Sequence, residues 1–171
     1  GAELLLNTYS KILEKNVQIA ILGTGEERFE SGFRYMEEHN KGKAVYYNGY
    51  NDALAHEFYG GLDILMMPSL FEPCGISQLI AMRYGTLPLV RETGGLKDTV
   101  EPYNEFDQTG RGFSFGPYNA DDMLKVLDIA LDVYENRYKD FEMLITNAMK
   151  YDVSFDTSAR KYEDLYKKLT D

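Results

Sequence analysis

The sequence predicts an α/β fold, a three-layer sandwich in which helices cover both faces of a parallel sheet. Short apolar segments alternate along the chain with longer amphipathic ones, which is the pattern of successive strand–helix units. Residues 64–67 form a continuous apolar run between turn residues, as is typical of a strand buried on both faces. Two glycine-containing turns, at 23–25 and 93–95, each follow a predicted strand and precede a predicted helix.

The first part of the chain contains an opening helix and two strand–helix units. The opening helix, 3–15, has apolar residues near helical spacing, and its position predicts a further strand upstream, at an edge of the sheet. The two units are strand 17–22 with helix 26–40, and strand 43–47 with helix 53–59. Asn51 or Asp52 is suited to cap the second of these helices, and Gly60-Gly61 to end it.

The remaining part completes the sheet and adds helices. Its strands are predicted at 64–67, 86–90 and 112–115. Its helices are predicted at 79–84, 96–100, 120–136, 138–150 and 154–169. Gly85 can end the first of these helices, Asn119 can cap the third, and Ser154 or Asp156 the last. Residues 101–111 are polar and rich in turn formers, which indicates a surface loop.

Composition and charge exclude several classes of function. The chain has 171 residues, 44% of them hydrophobic, which suits one globular domain with its own core. Its formal net charge of −10 argues against nucleic acid and against anionic membranes as partners. No apolar run reaches the about 18 residues that a membrane span needs. The single cysteine excludes an internal disulfide and fits a reducing, cytoplasmic environment.

The loop after the apolar strand 64–67 carries the strongest chemical signal. Ligands bind at the carboxyl ends of strands in open α/β sheets. Gly75 lets the backbone approach a ligand, and the N–H groups of Gly75, Ile76 and Ser77 precede a helix whose dipole favours an anion such as phosphate. Glu72 is an acceptor for sugar hydroxyls or for a developing cation. The residues alone leave a second interpretation open, a plain turn with Glu72 solvated and Ser77 as a cap.

Neighbouring loops contain further candidates. Gly23 and Gly25 form a G-x-G turn without the third glycine of a dinucleotide fingerprint, so they either line a ligand or make a tight turn. Tyr50 either stacks on a nucleobase or packs on its own loop. A second candidate anion loop follows strand 86–90 and consists of Thr93, Gly94 and Gly95.

No metal site is predicted, and a cysteine nucleophile is disfavoured. His39 and His56 have no partner at ligand spacing, and there is no cluster of cysteine and histidine. Cys74 lies in the loop before helix 79–84, but no histidine is near it in the sequence. A thiol that packs or lines a ligand is therefore the better interpretation of Cys74.

Four stretches of the chain resemble the bacterial glycogen and starch synthases. The longest, residues 68–100, reads PSLFEPCGISQLIAMRYGTLPLVRETGGLKDTV. ILGTGE at 21–26, GYNDALAH at 49–56 and TGRGFSF at 109–115 match in the same order, the last with one arginine more than the family's TGFxF. The resemblance covers nearly the whole chain. It implies the C-terminal, Rossmann-like domain of a GT-B glycosyltransferase, which binds the nucleotide sugar.

The resemblance also implies roles for the candidate residues. Glu72, in EPCG, corresponds to the family's active-site glutamate, which faces the transferred glucose. Ile80 stands where many other retaining GT-B enzymes have a second glutamate, and the synthases also lack it. Tyr50 corresponds to the aromatic residue that stacks on the base. The other positions of the nucleotide and diphosphate site are Gly23, Gly25, Cys74, Gly75, Ile76, Ser77, Thr93, Gly94 and Gly95.

Parts of the family's site are not in this sequence. The family has a donor-binding K-x-G-G-L loop in its N-terminal domain, whereas TGGL at 93–96 here follows Arg91-Glu92 and is the C-terminal copy of a similar string. A basic pair that holds the diphosphate before the opening helix is also missing. Residues 1–171 are therefore expected to be a partial C-terminal domain, without its first strand and without the N-terminal domain.

The implied reaction is glucose transfer from ADP-glucose to the non-reducing end of an α-1,4-glucan, with retention of configuration. The expected partners are ADP or ADP-glucose, the glucan and the N-terminal domain. No metal cofactor is expected, because basic residues and a helix dipole would take the cation's place. The chain alone is expected to fold but not to catalyse. The alternatives are another GT-B glycosyltransferase, a nucleotide-sugar epimerase domain and a non-catalytic glucan-binding domain.

Overall fold

Helices and strands alternate along residues 1–170, the part of the chain that the structure, a computed structural model, describes. The strands are β1 (Ile19–Leu22), β2 (Ala44–Tyr47), β3 (Ile64–Met67), β4 (Leu87–Arg91) and β5 (Phe113–Phe115). The helices between or before them are α1 (Ala2–Leu13), α2 (Glu27–His39), α3 (Asp52–Gly61), α4 (Ser77–Tyr84) and α5 (Gly94–Thr99). After β5 follow α6 (Ala120–Asn136), α7 (Tyr138–Lys150) and α8 (Phe155–Thr170).

Each helix and strand predicted from the sequence is present, with ends that differ by at most two residues. The predicted caps explain why the ends are so close. Asn51 and Asn119 accept hydrogen bonds through their side-chain oxygens from the N–H groups of Leu54 and Asp122, at 3.0 and 2.9 Å. Gly85 ends α4 in the left-handed conformation, with φ of 90°.

The sequence predicts one parallel sheet, whereas residues 1–170 form two. β1 pairs with β2 in one sheet, and β4 lies between β3 and β5 in the other, with all pairs parallel. Ile19 of β1 and Ile64 of β3 pack against the same core cluster, so the two sheets share a core. Gly1 lies against Pro68, just beyond β3, since a Cβ on Gly1 would be 2.5 Å from the Pro68 carbonyl oxygen. α1 therefore begins close to the carboxyl end of β3.

Helices cover both faces of the three-stranded sheet, which makes the predicted three layers. Leu87 and Leu89 of β4 face a large core cluster to which α1, α4, α6 and α7 contribute. Val90 belongs to a smaller cluster with Leu96 and Val100, from α5 and the residue after it. Successive side chains of a strand point to opposite faces, so these two clusters lie on opposite sides of the sheet. The loops that carry the candidate site follow the carboxyl ends of β3 and β4.

The last helix, α8, lies outside these clusters. Ser154 caps it as predicted, because its hydroxyl oxygen accepts a hydrogen bond from the Thr157 N–H at 3.3 Å. Its large apolar side chains are exposed, namely Phe155, Tyr162, Leu165, Tyr166 and Leu169. Within residues 1–170 there is no helix with the length and apolar character that crossing a membrane requires.

Candidate active site

Glu72 closes the loop between β3 and α4. One of its carboxylate oxygens, Oε1, accepts a hydrogen bond from the Gly75 N–H at 3.0 Å. Gly75 has φ of 73°, in the left-handed region that favours glycine. α4 begins two residues later at Ser77, with Ile76 as its N-cap. The carboxylate and the start of the helix therefore lie in one short loop, as the sequence predicts.

Two of the three predicted amide donors have no acceptor. Within residues 1–170, the N–H groups of Ile76 and Ser77 donate no hydrogen bond, which is usual for the first turn of a helix. The Gly75 N–H is already paired with Glu72, and this corrects the prediction that all three point freely at a ligand. A carboxylate and a phosphate are both anionic acceptors. At this amide, Glu72 would therefore compete with any anionic ligand.

The loop after β4 lies directly against the Glu72 loop. A Cβ built on Gly94 would lie 1.9 Å from the Glu72 carbonyl oxygen, and one on Gly95 would lie 1.9 Å from the Cys74 carbonyl oxygen. Only glycine permits so close an approach of two backbones. The Gly95 N–H donates to the Pro73 carbonyl at 3.1 Å, so this amide is also paired within the protein. The two glycine-containing loops thus form one unit, which the sequence predicts only as neighbours.

Arg91, the last residue of β4, holds the start of the Glu72 loop. Its guanidinium donates to the carbonyls of Ser69 and Leu70, both at 2.6 Å, and lies 5.8 Å from the ring centre of Tyr118. None of the carboxylates in residues 1–170 forms an ion pair with it. A positive charge that is not neutralised by an ion pair therefore lies at this edge of the sheet. The sequence alone does not predict this role for Arg91.

Gln78 and Thr99 connect the two loops on their buried side, a role that the sequence alone predicts for neither residue. Gln78 is fully buried, and its Nε2 lies 3.2, 3.0 and 3.1 Å from the Cys74 carbonyl, the Gly75 carbonyl and the Thr99 hydroxyl. The Thr99 hydroxyl in turn donates to the Gly95 carbonyl at 2.6 Å. A glutamine among the apolar residues of a short buried helix is the signal that could have indicated this.

The G-x-G turn after β1 is closed by a carboxylate from α2. The Gly25 N–H donates to Glu30 Oε1 at 2.9 Å, and Gly23 extends the hydrogen bonding between β1 and β2. Glu30 Oε2 accepts from Asn48 and Arg34 at 2.7 and 2.9 Å. The bond from Gly25, followed by those from Asn48 and Arg34, lowers the pKa of Glu30. Gly23 and Gly25 can therefore line a ligand, but their N–H groups are already used.

The structure decides how some of the other candidates are packed. Tyr50 is 90% exposed, so it does not pack on its own loop, and its ring is accessible for stacking. Cys74 is exposed and has a free thiol. Thr93 is the N-cap of α5 but makes no side-chain cap bond. Gly23, Gly25 and Tyr50 lie on loops that follow β1 and β2, the strands of the two-stranded sheet. No hydrogen bond within residues 1–170 joins them to the Glu72 loop.

The parallel strands, with helices on both faces and the candidate loops at their carboxyl ends, define the class of the protein as a Rossmann-like α/β domain. The sequence profile of the family described as "Glycosyl transferases group 1" matches residues 1–150. The chain belongs to this family of glycosyltransferases. Its fold, and its resemblance to the glycogen and starch synthases, are confirmed by the following comparisons.

The chain is 47% identical over 169 residues to the glycogen synthase of Lachnospira eligens, and 48% identical over 169 residues to that of Fusobacterium nucleatum. Each match covers 99% of this chain, but 35% and 36% of the relative. Among solved structures, the catalytic domain of starch synthase IV from Arabidopsis thaliana, bound to ADP and acarbose, has a TM-score of 0.86 and 31% identity. This match covers 97% of this chain and 35% of that one. The chain thus spans about a third of the length of the curated relatives it matches.

Proposed function

We propose that this chain is the nucleotide-sugar-binding domain of a glycogen or starch synthase, which transfers glucose from ADP-glucose to the non-reducing end of an α-1,4-glucan with retention. The observation that carries the proposal is the joined pair of loops, in which Glu72 lies beside the unpaired N–H groups of Ile76 and Ser77. The similarity to two glycogen synthases, and to a starch synthase bound to ADP and acarbose, supports the choice of donor and acceptor.

The arrangement of charges suits a reaction that separates charge. When the bond between glucose and the diphosphate breaks, negative charge grows on the phosphate and positive charge on the sugar ring. The Ile76 and Ser77 N–H groups and the α4 dipole would stabilise the first, and the Glu72 carboxylate the second. We expect the diphosphate to take over the Gly75 N–H, so that Glu72 turns from this amide to the sugar. Donor binding and the placement of Glu72 would then be coupled.

The rest of the proposed site completes the donor pocket. Tyr50 stacks on the base, Gly23 and Gly25 line the nucleotide, and the loop of Thr93, Gly94 and Gly95 supports the diphosphate loop, with Cys74 beside it. The chain's formal net charge of −10 opposes a diphosphate, so further positive charge is needed, from the basic pair expected before the opening helix and from an N-terminal domain of the same enzyme. That domain would also supply part of the acceptor surface. The reaction is proposed to take place in the cytoplasm and to use no metal cofactor.

Titration of the 171-residue chain with ADP, UDP and a maltooligosaccharide tests this proposal. We expect ADP to bind weakly, because the basic pair is absent, but more tightly than UDP. Tighter binding of UDP would overturn the base assignment. Binding of the maltooligosaccharide with no binding of either nucleotide would indicate a glucan-binding domain instead.

The natural gene product that contains this chain provides the second test, which concerns the reaction. It should transfer glucose from ADP-glucose to glycogen. Turnover of a nucleotide sugar without transfer to a glucan would indicate another glycosyltransferase or an epimerase.

A further inference from the structure

Gln78 is a fully buried polar side chain in the first turn of α4, next to the loop that carries Glu72. Its Nε2 lies within 3.2 Å of three oxygens, namely two backbone carbonyls of that loop and the hydroxyl of Thr99. A side-chain amide has only two N–H donors, so the three acceptors share them. Both N–H donors of Gln78 are therefore directed at the Glu72 loop and at Thr99, the last residue of α5.

Thr99 carries this connection to the second loop. Its hydroxyl donates to the Gly95 carbonyl at 2.6 Å, and a hydroxyl has a single proton. The hydroxyl must therefore act as the acceptor in its contact with Gln78. One continuous chain of hydrogen bonds results, from the carbonyls of Cys74 and Gly75 through Gln78 and Thr99 to the carbonyl of Gly95.

Because the peptide group is planar, this series of hydrogen bonds also fixes the direction of the loop's N–H groups. All peptide bonds of residues 1–170 are trans, and in a trans peptide the C=O and the N–H point in opposite directions. Gln78 holds the carbonyls of Cys74 and Gly75 on its own, buried side. The N–H groups of Gly75 and Ile76 therefore point to the other side, where Glu72 accepts the first of them. Gln78 decides where these donors point without facing the ligand itself.

A packing role alone would not explain a glutamine at this position. Its Oε1 is buried and has no hydrogen-bond partner within residues 1–170, which is unfavourable for a polar atom. The same oxygen lies 2.5 Å from the place that a Cβ on Gly75 would occupy, so Gln78 is also one reason for glycine there. An apolar side chain of similar size would fill the space without leaving an acceptor unpaired.

We infer that Gln78 and Thr99 are positioning residues of the diphosphate site, which fix the amides of Gly75 and Ile76 toward the ligand and hold the two glycine loops together. This inference rests on the proposed function. It predicts that loss of the Thr99 hydroxyl weakens nucleotide binding, although Thr99 is not itself expected to touch the nucleotide.

Two threonine-to-valine variants of the 171-residue chain separate positioning from general stability. Thr99→Val removes the hydroxyl that joins the loops. Thr86→Val is the matched control, because the buried Thr86 hydroxyl also contacts backbone carbonyl oxygens, those of Tyr59 and Leu62 at 2.6 Å, which share its single proton, but at the opposite end of β4. Both variants should lower the melting temperature. ADP affinity should fall about 10-fold in Thr99→Val, stay within about 2-fold in Thr86→Val, and return in Thr99→Ser.

The outcomes for the inference and for the proposed function differ. If the unsubstituted chain binds ADP and Thr99→Val binds it equally well, the positioning inference is wrong and the proposed function stands. If the unsubstituted chain does not bind ADP, the proposed function fails and the inference fails with it.

Should Thr99→Val not fold, NMR of the unsubstituted chain tests the positioning inference instead. The side-chain amide of Gln78 and the backbone amide of Gly95 should then shift with ADP at the same midpoint as those of Gly75 and Ile76. Shifts at Gly75 and Ile76 alone would overturn the inference.

Discussion

Gly95→Ala tests whether the two glycine loops act as one unit. The new Cβ would lie 1.9 Å from the Cys74 carbonyl oxygen, and a contact under 3.0 Å essentially never occurs. The loops must therefore separate by about 1 Å, because the atoms on both sides belong to the backbone and no side chain can move aside. This movement strains the bond from the Gly95 N–H to the Pro73 carbonyl, now 3.1 Å long, and displaces the carbonyl that Gln78 holds.

Two effects of this displacement can be estimated. Overpacking of a filled site costs about 1–3 kcal/mol of stability. Loss of one hydrogen bond between an amide and a charged phosphate costs about 1.5–3 kcal/mol, which corresponds to about 10- to 150-fold weaker ADP binding. We therefore expect Gly95→Ala to be both less stable and at least about 10-fold weaker in ADP affinity.

The assay is an ADP titration monitored by NMR, at a temperature where circular dichroism shows that each protein is folded. Gly61→Ala is the matched control, because a Cβ there would have no atom within 4 Å and the residue ends an exposed helix. It should bind ADP like the unsubstituted chain. A folded Gly95→Ala protein with unchanged ADP affinity would refute the view that contact between the loops shapes the site.

Three further predictions concern the reaction and the stability of the fold. In the intact enzyme, Glu72→Gln should raise the barrier to glucose transfer by about 2–4 kcal/mol with little change in ADP affinity, because glutamine can still accept the Gly75 N–H but carries no charge. Glu135→Gln on α6 is the control. An equal loss of ADP affinity and turnover would show that Glu72 only stabilises the loop. Burial, followed by the hydrogen bond to Asp140, raises the pKa of Tyr103 to about 12 from its ordinary 10.0, so its contribution to stability is present below pH 10 and lost as the pH rises toward 12. Between pH 10 and 12, the free energy of unfolding in urea should accordingly fall less for Tyr103→Phe than for the unsubstituted chain. If it falls equally in both proteins, the Tyr103 hydroxyl does not contribute to stability in this way. The 171-residue chain should not transfer glucose from ADP-glucose to glycogen at a rate near that of the whole enzyme, because positioning of the reactants, which contributes about 7–11 kcal/mol, needs both sides of a cleft.

The sequence was sufficient for the helices, the strands and the position of the candidate loop because these depend on local signals. The apolar run of β3 and the left-handed Gly85 after α4 are each encoded within a few residues. The division into two sheets was not predictable in this way. It depends on which strands pair, and β1 and β3 are separated by α2, β2 and α3 along the chain.

The internal pairing of the site was also hidden from the sequence. Glu72 can be recognised as a carboxylate near a helix start, but its bond to the Gly75 amide depends on the left-handed turn of the loop. In the sequence, Gln78 is only one of several polar residues of α4, because its partner Thr99 is 21 positions further along. Arg91 is similar, since the carbonyls that it holds belong to a loop about twenty residues earlier. Candidate ligand-binding residues can be proposed from local chemistry, whereas residues that hold the loops depend on contacts between distant segments.

Two-dimensional NMR of the 171-residue chain, titrated with ADP, shows directly whether a diphosphate binds to the Glu72 loop. We expect the backbone amides of Gly75, Ile76 and Ser77 to shift together and to saturate at one midpoint, with the Gly75 signal reporting its exchange from Glu72 to a phosphate oxygen. The Tyr50 signals should move in the same titration, while those of α7 should not. ADP-dependent shifts that avoid residues 72–77 altogether, or no shifts at saturating ADP, would contradict the account.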